Sequence, residues 1–317
     1  MHEWLPTLAD IEAARRRISV HARLTPVLRD EALDDEIGAR LYFKCENLQR
    51  LGAFKFRGAC NAVFSLDDAA AARGVVTHSS GNHGAALAAA AALRGIPAHI
   101  VVPDSANALK VRNIVEAGAT VHRCAPTLAA RETACAALQR ECGAELVHPY
   151  ADARVMAGQG TTVLELLDQV AGLDAFIAPV GGGGLMSGCA SALRARSPQT
   201  ILIGAEPAGA DDAQRSLAAG RVVPVPQPRS ICDGLLATLG EINRIALATH
   251  RVEVLTVDDA AVRIAMRRLW ERLKLVVEPS SAITYAVLCA QRARFRGQRV
   301  GVLLSGGNVD LDQQLFA

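Results

Sequence analysis

The stretch VVTHSS, residues 75–80, followed by AALAAAAALRG, residues 85–95, sets the fold. A short β-branched run that ends in polar residues has the length and chemistry of a buried strand. The alanine- and leucine-rich run after it reads as a helix closed by Gly95. The pair repeats as AHIVVP (98–103) and ALKVRNIVEAG (108–118), with Gly118 at the second helix end. Parallel strands need a crossover and a helix makes a compact one, so the alternation predicts an α/β fold with helices on the faces of a parallel sheet.

The same punctuation resumes with DAFIAPV (174–180), a glycine run, LMSGCASALRA (185–195) and TILIGAEP (200–207). It closes with a helical pattern near AAVRIAMRRLWERL (260–273), another after EPSS (278–281), and the strand VGVLLSGG (300–307). No internal repeat of solenoid length is apparent. The proline-rich segment RVVPVPQPRS (221–230) reads as a surface connection inside a domain. We expect two α/β units with interleaved boundaries: residues 1–48 with 149–317 as a large cofactor-binding domain, and 49–148 as a small one.

A chain of 317 residues buries a sizeable core. With 50% hydrophobic residues, 21% charged and a net charge of +2, it carries no footprint for nucleic acid or a membrane surface. Small-molecule chemistry is the remaining default. The eight cysteines (45, 60, 124, 135, 142, 189, 232 and 289) include no C-x-x-C pair, which leaves zinc-ribbon and thioredoxin-like motifs unsupported. They read as small core residues in a reducing compartment. MHEWLPTLADIEAARRR (1–17) lacks the apolar run of a signal peptide, and no stretch is long and apolar enough for a membrane span, so a cytoplasmic protein is expected. For its oligomeric state the default is a symmetric homodimer.

Three turns follow predicted strands. In PVGGGGLMSG (179–188), four successive glycines let backbone N–H groups turn toward one point without Cβ obstruction, and the following helix start favours an anion, phosphate above all. A merely tight strand-to-helix turn would need fewer glycines. No Gly-Lys-Ser/Thr follows, so this is not a Walker loop. SSGNHG (79–84) offers hydroxyls, an amide and helix-start N–H groups to a carboxylate or phenolic oxygen; ordinary capping by Ser80 or Asn82 explains it equally well. LLSGGNVD (303–310) turns at Ser305. Ligands in open α/β sheets gather beyond the carboxyl ends of strands, so the three turns can converge on one ligand.

LGAFKFRGA (51–59) sets Lys55 between two phenylalanines. A desolvated ammonium has a depressed pKa, and the neutral amine is a nucleophile toward a carbonyl. A lysine whose stem lies on apolar surface while its charge reaches water is the simpler alternative.

In order, GAFKFRGA, SSGNHG, GGGGLMSG and LSGGNVD resemble the pyridoxal-phosphate enzymes of the serine/threonine dehydratase and serine racemase family, over nearly the whole chain. The resemblance implies fold type II: two open twisted sheets flanked by helices, as in the tryptophan synthase β-like enzymes. It implies that Lys55 holds the aldehyde of pyridoxal 5'-phosphate as a Schiff base, with Phe54 part of the wall around it. Gly181, Gly182, Gly183, Gly184 and Leu185 would cradle the phosphate, Asn82 would meet the ring oxygen and Ser305 the pyridine nitrogen. Ser79, Ser80, Asn82, His83 and Arg131 would lie on the substrate side, with His83 given no catalytic role. Lys55 would take the Cα proton, and Ser80 would face the other side of Cα, which permits racemisation without proving it.

EPAGADD (206–212) places acids six residues apart, Glu206 and Asp212, around a loop. Hard cations take carboxylates and carbonyls, yet a solvated acidic turn explains these residues as well. The resemblance assigns Glu206, the Ala210 carbonyl and Asp212 to a structural Mg²⁺ or Ca²⁺.

Departures from the family pattern are Leu51-Gly52-Ala53 where many relatives have Thr-Gly-Ser, Pro26 and Val27 at the racemase nucleotide site, and Ala237 in place of a substrate-contacting serine. Nucleotide activation and control by an added C-terminal domain are therefore not expected. The implied activity is an ammonia-lyase acting on a β-hydroxy amino acid: threonine or serine, with 3-hydroxyaspartate or phenylserine as further candidates. The alternatives are an amino-acid racemase, and a cofactor-carrying binding protein without turnover.

Overall fold

In a computed structural model covering residues 5–79, 81–106, 108–312 and 316, the strands fall into two sheets. The large sheet has the order β1-β2-β10-β7-β8-β9, made of β1 (Val27–Leu28), β2 (Arg40–Cys45), β7 (Ala175–Pro179), β8 (Ile201–Pro207), β9 (Glu253–Val257) and β10 (Arg299–Leu304). Only β1 runs antiparallel to its neighbour. The small sheet, β5-β4-β3-β6, is parallel throughout and is built from β3 (Val75–His78), β4 (Ala98–Pro103), β5 (Thr120–Cys124) and β6 (Glu145–Leu146).

Both sheets are covered on both faces, and the period of two along each strand divides the core. In β10, Val300, Val302 and Leu304 pack to one side with the helices Asp259–Leu273 and Pro279–Ala290, while Leu303 points to the other. Ala175 and Ile177 of β7 likewise part from Phe176 and Ala178. In β4, Ile100 and Val102 face the helix Asn82–Arg94, and Val101 joins Cys135 of the helix Leu128–Cys142. The helices do end at Gly95, with φ 70°, and just before Gly118, with φ 87°. All eight cysteines are free.

The two sheets are joined where the helix Lys55–Phe64 meets the helix Ala153–Gln169 with almost no side chain between them. A Cβ on Gly158 would lie 2.6 Å from the Gly58 Cα. Beside this crossing four charges are buried together. Arg57 donates to Glu46 at 2.7 and 2.8 Å and to Glu165 at 2.7 Å twice, and Lys44 donates to Glu165 at 2.8 Å. The two cations and two carboxylates neutralise one another, which allows such a set inside a core. Segment 221–230 has no regular structure and is largely exposed, yet Val225 and Pro228 border the central cavity, so it is more than a surface connection. Among the described residues no helix is long and apolar enough to cross a membrane.

Candidate active site

A cavity of about 570 Å³ opens at the carboxyl ends of β3, β7 and β10. Lys55, the first residue of its helix, enters it. The loop before it is stitched to the residues after β10: Phe54 N–H donates to Ser305 O at 3.0 Å, Gly307 N–H to Gly52 O at 2.9 Å, and Asn308 Nδ2 to Leu51 O at 2.7 Å. Two successive left-handed residues, Leu51 (φ 58°) and Gly52 (φ 70°), make this turn. A Cβ on Gly52 would also lie 2.5 Å from Asn308 Oδ1, so both conformation and space require glycine there. Lys55 Nζ donates to the Pro149 carbonyl at 3.0 Å and lies 5.2 Å from the centre of the Phe54 ring. Burial brings its pKa down to about 8 against the opposing pull of Glu278. The amine is therefore held inside the cavity, where its stem does not carry the charge out to open water.

Gly181, Gly182, Gly183, Gly184 and Leu185 line the same cavity. The helix Gly184–Arg196 starts from Gly183 at φ 93° with no side-chain cap, which leaves its first N–H groups to a ligand. A Cβ on Gly182 would lie 2.3 Å from the Tyr150 ring, and one on Gly183 2.7 Å from Asn243 Cβ. The run is thus a cradle that any side chain would fill.

The SSGNHG turn is also uncapped. The cap position is Gly81, and Asn82 is not the cap but opens the helix. Its amide is engaged elsewhere: Nδ2 meets both Glu278 oxygens at 3.2 Å, and Oδ1 accepts from Asn308 at 3.0 Å. Ser79 and His83 border the cavity; Ser80 lies outside the described residues. His83 Nε2 meets the Val147 carbonyl at 3.2 Å while its buried Nδ1 has no partner among the described residues. Burial and the neighbouring Lys55 hold its pKa well below the usual value, so it is neutral and no reservoir for protons. Arg131, on the helix Leu128–Cys142, reaches the cavity, and among the described residues its guanidinium is held only by a long 3.4 Å contact to Thr127 O.

Residues 18–306 match the family model described as pyridoxal-phosphate dependent enzyme. The chain belongs to this family. It is 47% identical over 310 residues to the beta-hydroxyaspartate dehydratase of Paracoccus denitrificans, covering 98% of each chain, and 45% identical to the serine racemase of Dictyostelium discoideum, covering 96% of this chain and 95% of that one. The solved structure of maize serine racemase superposes with a TM-score of 0.95 at 43% identity, over 97% of this chain and 95% of that one. The protein is thus a pyridoxal-phosphate dependent enzyme of the fold type II group that contains ammonia-lyases and racemases.

The residues present fit the family cofactor: a desolvated amine, an uncapped glycine cradle for its anionic tail, and the Ser305 hydroxyl, 2% exposed, at the cavity wall. The cation expectation rests on separate geometry. Glu206, Asp212 and Ala210 are buried, and Glu206 accepts from the N–H groups of Ala213 (2.7 Å) and Gln214 (3.0 Å), Asp212 from that of Leu239 (2.6 Å). Burial pushes Glu206 up to about 8 and Asp212 up to about 6. Among the described residues no basic side chain pairs with either, and no cluster of three or more His, Cys, Asp or Glu forms a metal site. Glu206 and Asp212 are thus two buried acids with no basic partner among the described residues, and each already accepts from backbone N–H groups.

Residues the sequence reading left aside share the wall. Pro149 and Tyr150 follow β6 as the fourth strand-end turn of the small sheet, and that position was the available signal. Glu278 stands at the cap of the helix Pro279–Ala290, where Glu-Pro marked a helix start.

Proposed function

We propose that this enzyme is an ammonia-lyase that removes water from 3-hydroxyaspartate and releases oxaloacetate and ammonia. The observation that carries this reading is the Arg131 guanidinium at the wall of the cavity that Lys55 enters: with no carboxylate partner among the described residues, it is available to a second carboxylate that serine and threonine lack. The name of the Paracoccus relative supports the same substrate class.

In this reading the uncapped N-terminus of the helix Asn82–Arg94, with Ser79, Asn82 and His83, binds the α-carboxylate. Pyridoxal phosphate, when bound, supplies an electron sink that acidifies the Cα–H and lets the β-hydroxyl depart. Gly181 to Leu185 hold its anionic tail, Ser305 faces its ring nitrogen without forcing protonation, and Phe54 walls the reacting centre from water. The Lys55 amine accepts the Cα proton, which its lowered pKa permits near neutral pH. Glu206, Asp212 and the Ala210 carbonyl hold Mg²⁺ or Ca²⁺ in a structural role, and the units 1–48 with 149–317 and 49–148 close on the substrate from either side.

The test is keto-acid release from L-serine, L-threonine, phenylserine and both 3-hydroxyaspartate diastereomers, by the wild type and Arg131→Met. A charge-assisted contact worth ~1.5–3 kcal/mol predicts a loss of roughly 10- to 100-fold in kcat/KM on 3-hydroxyaspartate and little change on serine. A wild type that prefers serine or threonine, or equal losses on all substrates, overturns the reading.

A further inference from the structure

Tyr150 is one residue beyond the carbonyl that receives Lys55 Nζ. Its ring has a single placement. A Cβ on Gly182 would lie 2.3 Å from ring Cδ1 and one on Gly240 3.3 Å from Cε2, while the His148 imidazole meets the ring edge-on at 4.6 Å between centres. The backbone is fixed as well: Asn243 Nδ2 donates to Tyr150 O at 3.0 Å, and Tyr150 N–H donates to His148 Nδ1 at 3.3 Å. The phenol hydroxyl, in contrast, has no hydrogen-bond partner among the described residues, although Tyr150 borders the same cavity as Lys55 and Arg131. A tyrosine anchored at its ring and left unbonded at its polar tip presents a preorganised donor to a ligand. Burial keeps the phenol protonated at neutral pH, and it is within electrostatic reach of Glu132 and Arg131 on the helix Leu128–Cys142 and of Asp212.

We infer that Tyr150 is a specificity-determining residue whose hydroxyl donates a hydrogen bond to the second carboxylate of the substrate, the one received by Arg131. The inference rests on the proposed reading that the substrate is 3-hydroxyaspartate. Cation and phenol then form a two-point site that a monocarboxylic amino acid leaves empty, so the hydroxyl acts on the choice of substrate and leaves the chemical step to Lys55.

Tyr150→Phe keeps the ring against Gly182 and removes only the donor. The holoenzyme variant should keep its visible cofactor absorbance and melting temperature. Its KM for 3-hydroxyaspartate should rise about tenfold with kcat within about twofold, and competitive inhibition by succinate should weaken by a similar factor, while KM for serine stays unchanged. Unchanged KM and succinate inhibition overturn the inference, as does an equal weakening toward serine, which would mark a merely structural role. A wild type that releases no keto acid from 3-hydroxyaspartate defeats the substrate reading and this inference with it. A wild type that does, beside an unaltered Tyr150→Phe, defeats the inference alone.

Discussion

Lys55 Nζ lies 3.0 Å from the carbonyl oxygen of Pro149, its only hydrogen-bond partner among the described residues. One neutral acceptor and an aromatic face replace the water an ammonium normally has, and the pKa falls from 10.5 to about 8. The neutral amine attacks an aldehyde, so cofactor capture should be fast above the lowered pKa and slow as pH falls through it. In cofactor-free protein, the rate of appearance of the visible adduct band should titrate with a midpoint near 8; a midpoint near 10.5 would show that the amine is solvated. Lys55→Ala should abolish the borohydride-trappable adduct.

The glycine cradle predicts a graded effect. Gly182→Ala puts a Cβ 2.3 Å from the Tyr150 ring, so the ring must move and the cradle with it. Overpacking of this kind costs about 1–3 kcal/mol, and we expect a lowered melting temperature together with cofactor affinity weakened at least about tenfold. Thermal melts with and without pyridoxal phosphate separate the two effects. A variant with normal affinity would mean that the anionic tail rests elsewhere.

Much of this was legible because the signals are local. The strand at Val75–His78 and the helix at Asn82–Arg94 each declare themselves within a few residues, and the glycine run carries its own chemistry. What escaped depends on distant partners. Nothing in RLYFKC singles out Lys44, yet it is wholly buried and paired with Glu165, 121 residues away. Glu278 becomes a site residue by meeting Asn82 across 196 residues, and Tyr150 by packing on Gly182. Of the two readings of SSGNHG, capping by Asn82 is not what the fold uses: Asn82 opens the helix behind Gly81, and its amide meets Glu278 and Asn308 instead.

The buried charges give a stability prediction. Arg57 is fully buried and holds both Glu46 and Glu165, so Arg57→Met leaves two carboxylates with only Lys44 to balance them. Breaking such a set costs about 3–5 kcal/mol, against about 0–1 kcal/mol for Arg294→Met at the exposed pair with Glu253. Urea unfolding of the two variants side by side checks the difference. Similar losses would mean that the core charges are already solvated.

The acidic loop should act on the cofactor through a short physical chain. Asp212 holds the Leu239 N–H at 2.6 Å, a Cβ on Gly183 would meet Leu239 Cδ1 at 2.7 Å, and Gly240 N–H donates to Gly182 O at 3.2 Å. Removing the proposed cation would leave Glu206 and Asp212 buried with no basic partner among the described residues, beside the segment that packs against the glycine cradle. Chelation should therefore lower the melting temperature and speed loss of the visible cofactor band, and Mg²⁺ or Ca²⁺ should restore both. Saturation at about 100 times Kd contributes about 2.7 kcal/mol of stability. Asp212→Asn should lose the response to added cation. If chelator leaves wild-type melting and cofactor retention unchanged, the loop is an ordinary acidic turn, and its raised carboxyl groups are simply protonated in place.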